Sequence, residues 1–280
     1  MFSADESKRY AHLIEEPFAC QREELTIRGT VFRPNEEDLP VAIVSHSFMA
    51  KQDSVRKYAL VLANLGYATF TFDFCGGSLG SNQSDGETTD MSVLTEVRDL
   101  EAVLACAKAQ PYVDANRVML VGCSQGGFVS ALVAAQHPSE VGRLILFYPA
   151  LCIPDDARSG QMMFARFDPA DIPETVDCGP MKLGRCYVTD VLDMDPFELI
   201  KPFRGRVLLL HGTGDTLVKA EYSKRAYQAY LDSCPEGMEP DQRARLYLIE
   251  NGAHGFSEMH DFEALREVRL FARNLRFGVQ

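Results

Sequence analysis

Tryptophan is missing from the 280 residues, and no two of the eight cysteines stand as a Cys-x-x-Cys pair. Cys20, Cys75, Cys106, Cys123, Cys152, Cys178, Cys186 and Cys234 are scattered along the chain, so neither a zinc site nor a thioredoxin-like motif is suggested. No apolar run approaches the roughly 20 residues that a membrane span needs. The opening stretch from Met1 to Arg9 lacks the basic start and apolar core of a secretory signal. Together these absences predict a cytoplasmic chain with reduced thiols. Positive charge is also scarce: 28 Lys and Arg stand against 40 Asp and Glu, a formal net charge of −12. Such a balance argues against nucleic acid or an anionic membrane surface as partner.

What is present is ordinary for a soluble globular chain, with 46% hydrophobic and 24% charged residues. The length suits one sizeable domain, or one domain with an insertion. No internal repeat or low-complexity segment interrupts it. The sequence is organised around the run Val118-Met119-Leu120-Val121-Gly122-Cys123-Ser124-Gln125-Gly126-Gly127. Here an apolar stretch ends in Gly-x-Ser-x-Gly, and Phe128 to Gln136 continue with helical spacing. That pattern predicts a strand, a sharp turn and a helix, with Ser124 exposed at the tip as a nucleophile. The glycines remove Cβ atoms that would collide across so tight a turn. Cys123 is the rival nucleophile. Centring the turn on it would put Val121 and Gln125 where the glycines are needed, so it reads as a small buried neighbour.

Around this turn strands and helices alternate. Leu39 to Ser45, Ala68 to Phe74, Arg117 to Val121, Arg143 to Tyr148, Val207 to His211 and Leu246 to Glu250 read as strands. Val55 to Leu65, Met91 to Ala109, Ala220 to Leu231 and Phe262 to Leu275 carry helical periodicity. Such alternation predicts a mainly parallel sheet covered on both faces. Residues 1–17 read as a polar lead-in with a helical turn or two. Phe18 to Arg33 reads as a hairpin turning at Arg28-Gly29, and Cys75 to Asp90 as a loop. Residues 151–201 break the alternation with prolines at 154, 169, 173, 180 and 196, mixed with Met162, Met163, Phe164 and Phe167. This segment is expected to pack over the carboxyl ends of the strands as a lid, where open α/β sheets bind ligands. A surface excursion that only covers core is the alternative.

A serine nucleophile needs a base, and the base an orienting acid. His254 follows the last strand in the small-residue loop Asn251-Gly252-Ala253-His254-Gly255, a setting that can hold an imidazole above the sheet edge. Of the other histidines, His12, His137 and His260 lie in polar or helical stretches and read as solvated. His46 and His211 end strands and read as structural. Asp215, in His211-Gly212-Thr213-Gly214-Asp215, follows its strand by a glycine-rich turn and is the candidate acid; a helix N-cap is its other reading. Besides the Gln125 N–H, the loop His46-Ser47-Phe48 offers the Phe48 N–H as a second oxyanion donor. The order Ser124, Asp215, His254 is that of α/β-hydrolase triads.

On these residues the chain resembles the serine α/β-hydrolases, and most of all the cinnamoyl and feruloyl esterase-like group. The likeness runs through Phe72-Asp73-Phe74-Cys75-Gly76, Asp90-Met91-Ser92-Val93-Leu94, Tyr148-Pro149-Ala150, and Leu183-Gly184 to Tyr187. It implies an α/β-hydrolase core over residues 1–150 and 202–280, a lid over 151–201, and hydrolysis of a small carboxylic ester through an acyl-enzyme. It further implies that Asp156 and Tyr187 contact a phenolic hydroxyl of the substrate. That group has glycine where this chain has Ser47, and histidine where it has Cys123. No metal or organic cofactor is implied. An acyl-peptidase or thioesterase fits the same triad, and a non-catalytic small-molecule binder is the reading from another class. A homodimer is compatible with the sequence, which does not decide oligomeric state.

Overall fold

The computed structural model describes residues 10–80 and 84–273. In chain order the strands are β1 (Ile14–Arg22), β2 (Leu25–Arg33), β3 (Leu39–Ser45), β4 (Ala68–Phe72), β5 (Val113–Cys123), β6 (Val141–Phe147), β7 (Gln161–Met162), β8 (Ala165–Arg166), β9 (Thr175–Cys178), β10 (Met181–Gly184), β11 (Arg206–Gly212) and β12 (Ala244–Ile249). Eight of them form one sheet in the order β1-β2-β4-β3-β5-β6-β11-β12. β1 and β2 run antiparallel at one edge, β2 meets β4 antiparallel, and every pairing from β4 to β12 is parallel. β5, which carries Ser124 just past its end, sits between β3 and β6 near the middle.

Central strands are apolar on both sides because both faces are covered. Along β5, Val118 and Leu120 enter one core, while Met119, Val121 and Cys123 enter the other. The first core packs against the helices Val93–Lys108, Gln125–Gln136 and Ala220–Asp232 through residues such as Leu100, Val129 and Tyr230. The second packs against Arg56–Ala63 and Glu258–Arg273 through Tyr58, Leu62, Val268 and Phe271. Helix ends follow local chemistry. Ser92 and Thr95 form a reciprocal capping box at the start of Val93–Lys108. Gly66, at φ 94°, turns the chain after Arg56–Ala63. Two fully buried arginines hold backbone carbonyls of neighbouring segments: Arg143 donates to the Phe271 carbonyl, and Arg243 to the Phe203 and Gly205 carbonyls.

Two expectations fail at the amino-terminal edge. Residues 1–9 of the expected lead-in lie outside the described residues, as does the end of the last expected helix at Leu275. From Ile14, however, the lead-in is already strand, with alternate half-buried and exposed positions that span the sheet edge. The hairpin also turns at Glu23-Glu24, not at Arg28-Gly29; Glu23 takes the left-handed conformation at φ 55°. Gly29 stands mid-strand opposite Phe18. Its missing side chain makes room: a Cβ there would lie 2.2 Å from the Thr71 carbonyl oxygen and 2.5 Å from the Phe18 ring. Glycine inside a strand marks a close approach as readily as a turn.

Residues 151–201 hold the helices Ile153–Ser159, Cys186–Thr189 and Pro196–Leu199 and two small hairpins, β7–β8 and β9–β10. The second half of this segment is fastened to the chain around Thr88–Ser92. Thr88 donates to the Lys182 carbonyl, the Cys186 thiol donates to the Thr89 carbonyl at 3.4 Å, and the Ser92 hydroxyl donates to Asp190 at 2.6 Å. Among the described residues no helix is long and apolar enough to cross a membrane.

The crowding at Gly29 makes a prediction. Gly29→Ala should destabilise the fold by about 1–3 kcal/mol through overpacking against Phe18 and the Thr71 carbonyl. Urea denaturation measures it; an unchanged midpoint would mean that the edge strand yields without cost.

Candidate active site

The turn after β5 is as tight as its sequence requires. Ser124 has φ 53° and ψ −117°, a conformation that few non-glycine residues adopt, and it immediately precedes the helix Gln125–Gln136. A Cβ on Gly122 would lie 2.2 Å from the Gly126 carbonyl oxygen, directly across the turn. A Cβ on Gly126 would instead strike the His46 carbonyl at 2.3 Å. The second glycine therefore serves the neighbouring loop: it lets the end of β3 close against the turn. Backbone bonds from the Ser124 N–H to Phe147 and from the Ala150 N–H to Ser124, both 2.9 Å, hold the strained residue between β6 and its following loop.

Three loops converge above this point. The Ser124 hydroxyl lies 3.0 Å from His254 Nε2, and His254 Nδ1 lies 2.8 Å from Asp215 Oδ2. The two bonds span 130 and 39 residues of chain. Ser124 and Asp215 are almost wholly buried, and His254 keeps limited access to solvent. Asp215 caps no helix. Its Oδ1 accepts the N–H groups of Leu217 and Val218, both at 2.9 Å, folding its own loop. Burial pushes the Asp215 carboxyl up, but hydrogen bonds from His211, His254 and the Val218 N–H more than reverse this and hold it far below the usual carboxylate range.

His211, structural from its place at a strand end, also supports Asp215. Its Nε2 lies 3.3 Å from Asp215 Oδ2 and 2.8 Å from the Val218 carbonyl, while Nδ1 is 2.6 Å from the Ser223 hydroxyl. The His-Gly-Thr-Gly-Asp spacing carried that signal. His46 is buried and satisfied: Nδ1 donates to the Ser47 carbonyl at 2.8 Å and Nε2 accepts the Phe74 N–H at 3.1 Å. Burial lowers its pKa, which keeps the ring neutral for that second bond. His137, read as solvated, sits part-buried between Glu101 and Glu140 at 3.0 and 2.9 Å. Tyr148, just past β6, also joins the site. It holds φ 36°, is buried, and packs its ring 4.6 Å from the His254 imidazole.

Cys123 is buried, and burial pushes its thiol up to about 12, so little thiolate exists at neutral pH. Ser47, in the position where the resembled group has glycine, donates from its hydroxyl to the Cys123 carbonyl at 3.4 Å. A cleft of about 190 Å³ opens beside Ser124. Its walls bring Phe48 and Gln125 together with Asp156 and Tyr187, and Thr216 to Val218 close another side. Burial raises the Asp156 carboxyl above its ordinary range, against an opposing hydrogen bond from Cys152. The Tyr187 hydroxyl is engaged within the protein, donating to the Gln125 side-chain oxygen. Among the described residues no group of three or more His, Cys, Asp or Glu side chains is arranged to hold a metal ion.

Known proteins share this fold. A model of the dienelactone hydrolase family matches residues 27–165, the stretch from β2 through the elbow to β8. The structure of Est1E from Butyrivibrio proteoclasticus with ferulic acid bound superposes with a TM-score of 0.80 at 25% identity, covering 91% of this chain and 98% of that one. The chain belongs to the α/β-hydrolase superfamily. The acylamino-acid-releasing enzyme of Homo sapiens is 22% identical over 232 residues, which is 81% of this α/β-hydrolase but 30% of that longer relative. The Pyrococcus furiosus esterase Pf2001 shares the fold, with a TM-score of 0.68 at 18% identity over 95% of this chain and 94% of that one.

The lowered Asp215 pKa fixes a sign. The unfolded carboxylate titrates near 3.9, so the stabilisation due to Asp215 is complete above that pH and is lost as pH falls through the folded value. Asp215→Asn should therefore melt below the unmodified protein at pH 7, and the gap in Tm should narrow as pH is lowered towards 3. A gap that stayed constant over that range would mean that the carboxylate is not held ionised by its neighbours.

Proposed function

We propose that this α/β-hydrolase cleaves small carboxylic esters through an acyl-enzyme, with Ser124 as nucleophile, His254 as general base and acid, and Asp215 as the group that orients the imidazole. The observation that carries the reading is the unbroken hydrogen-bond chain Ser124 Oγ to His254 Nε2 and His254 Nδ1 to Asp215 Oδ2, at 3.0 and 2.8 Å.

Ser124 Oγ attacks the ester carbonyl carbon while its proton passes to His254 Nε2. The imidazolium so formed is stabilised by ionised Asp215, whose charge the surrounding hydrogen bonds maintain. Negative charge on the former carbonyl oxygen is taken up by the backbone N–H groups of Gln125 and Phe48, which flank Ser124 in the cleft. Collapse of this intermediate breaks the bond to the alkoxy oxygen, which leaves as the alcohol with the proton from His254. Water then gives a proton to His254 and attacks the acyl-serine carbon, and the carboxylic acid departs as Ser124 recovers its proton. Cys123, buried and protonated, stays out of the chemistry.

Asp156 and the mouth of residues 151–201 are the proposed acyl-recognition elements, with the segment acting as a lid. The likeness to Est1E supports a hydroxycinnamate-type acyl group. The likeness to the acylamino-acid-releasing enzyme supports a second reading, cleavage of an N-acylated amino acid from a peptide. A panel of p-nitrophenyl acyl esters, hydroxycinnamate esters and an N-acyl-amino-acid anilide separates the two.

Two outcomes are expected. Ser124→Ala should lower turnover by a factor on the order of 10⁴ or more, and Cys123→Ala should retain most of it. A fluorophosphonate should add its mass to the peptide at Ser124; the same mass at Cys123, or no adduct, would overturn the assignment. Asp156→Ala should cost roughly 5- to 150-fold in kcat/KM for a hydroxycinnamate ester through one unmade hydrogen bond, and little for a short aliphatic ester. Equal small effects on both would remove Asp156 from acyl recognition.

A further inference from the structure

Tyr187 touches both sides of the proposed oxyanion hole. Its hydroxyl donates to the Gln125 side-chain oxygen, and its ring lies 5.4 Å from the Phe48 ring at an interplanar angle of 36°. Gln125 and Phe48 are the two residues whose backbone N–H groups would receive the oxyanion, and they belong to loops that are otherwise far apart in sequence. Neither contact involves the N–H itself. Each fixes the side chain of the residue that carries it.

The Gln125 side chain is held at its other end too. It is almost wholly buried, its amide nitrogen lies 3.9 Å from the Met91 sulphur, and it hydrogen-bonds the carboxyl of Glu96. Glu96 is itself 1% exposed, and its Oε2 has no hydrogen-bond partner among the described residues. An amide so enclosed has one acceptor and one donor side to satisfy. With Glu96 on the donor side, Tyr187 is the group that fixes the acceptor side and thereby the rotamer. Without it the amide can turn over, and the first residue of the elbow helix loses its lock.

Tyr187 is suited to bracing because it does not ride on a loose arm. Its short helix Cys186–Thr189 is pinned by Ser92 to Asp190 at 2.6 Å and by the Cys186 thiol to the Thr89 carbonyl at 3.4 Å. Its side chain is 3% exposed. A residue whose hydroxyl is already committed inside the protein is a poor first choice for a purely substrate-contacting role, since binding would have to break that bond.

We propose that Tyr187 is a positioning residue for the oxyanion hole, locking Gln125 by its hydroxyl and Phe48 by its ring. The inference rests on the serine-esterase reading above. It places Tyr187 in service of every substrate, whatever its acyl group, because the oxyanion is common to all esters.

The test is steady-state kinetics of Tyr187→Phe on p-nitrophenyl acetate and on a methyl hydroxycinnamate, with fluorophosphonate labelling and Tm measured on the same preparations. The variant keeps the ring, so the packing on Phe48 survives and only the lock on Gln125 is lost. The expected result is a fall in kcat of about 10-fold on both substrates by the same factor, with KM little changed. That is less than the roughly 10²–10³ lost when an oxyanion donor itself is removed. The fluorophosphonate rate should fall in parallel. A loss confined to the hydroxycinnamate, or a rise in KM alone, would make Tyr187 a substrate contact and overturn the proposal. A lower Tm with kcat and labelling unchanged would make it a packing residue only and overturn it equally. Failure of the unmodified protein to take the label at Ser124 would overturn the serine-esterase reading, and this inference with it.

Discussion

The close approach of three backbone segments at Ser124 is the constraint on which the rest depends. A strand end, a turn and a neighbouring loop come together with carbonyl oxygens where two Cβ atoms would otherwise lie, at 2.2 Å for Gly122 and 2.3 Å for Gly126. Strain of this kind, costing of order 1–3 kcal/mol, persists only where surrounding structure over-determines it. Here the surroundings are the middle of an eight-stranded sheet. β3 and β6 flank β5 along its length, and their far ends deliver the loop of Phe48 and the loop of Tyr148 to either side of the turn. The position of the elbow in the sheet is therefore a stability requirement before it is a catalytic one.

Charge around the site follows the same logic of buried groups held by neighbours. Asp215 is buried enough that desolvation alone would drive it towards neutrality, yet four donors converge on its two oxygens and win. Glu96, a few residues into the helix Val93–Lys108, shows the opposite balance. Burial there outweighs the single hydrogen bond from Gln125 and raises the carboxyl well above the ordinary range. One acid is built to stay charged facing an imidazole, the other to stay neutral behind an amide. Hydrogen bonds outweigh burial at Asp215, and burial outweighs them at Glu96.

Periodicity and turn chemistry made the core of this arrangement legible. The strands Leu39–Ser45, Ala68–Phe72 and Arg206–Gly212 fall within two residues of their sequence signals, because a strand buried on both faces is built mainly from apolar and β-branched residues. Ser124, His254 and Asp215 could be found because each follows a strand in a loop of small residues, and the structure does bring them together. Gly29 misled because a glycine that relieves crowding and one that turns a chain look alike in sequence. The hairpin at Glu23-Glu24 was hidden for the converse reason: nothing but two glutamates marks it. Side-chain partnerships such as Tyr148 against His254, or Tyr187 on Gln125, leave no period to read. They depend on which loops the sheet order makes adjacent.

Residues 151–201 show where such adjacency becomes functional choice. The half from Met181 to Asp190 is bonded to the chain at Thr88–Ser92, and its side chains point into core, as with Leu183, Tyr187 and Val188 at 1%, 3% and 0% exposure. The β7–β8 hairpin is different. Met163 takes φ 51° at its tip, and Phe164 beside it is 65% exposed. An apolar side chain left in water contributes little to folding. Met163 already lines the cleft with Asp156, while Phe164 packs beside Gly179 of the other hairpin. The fixed half thus shares its packing with the elbow, through Tyr187 on Gln125. The β7–β8 hairpin is held from beneath by buried Met162 and Ala165 and by the Cys178 thiol donating to the Met162 carbonyl, and it leaves only its tip, Met163 and Phe164, to solvent.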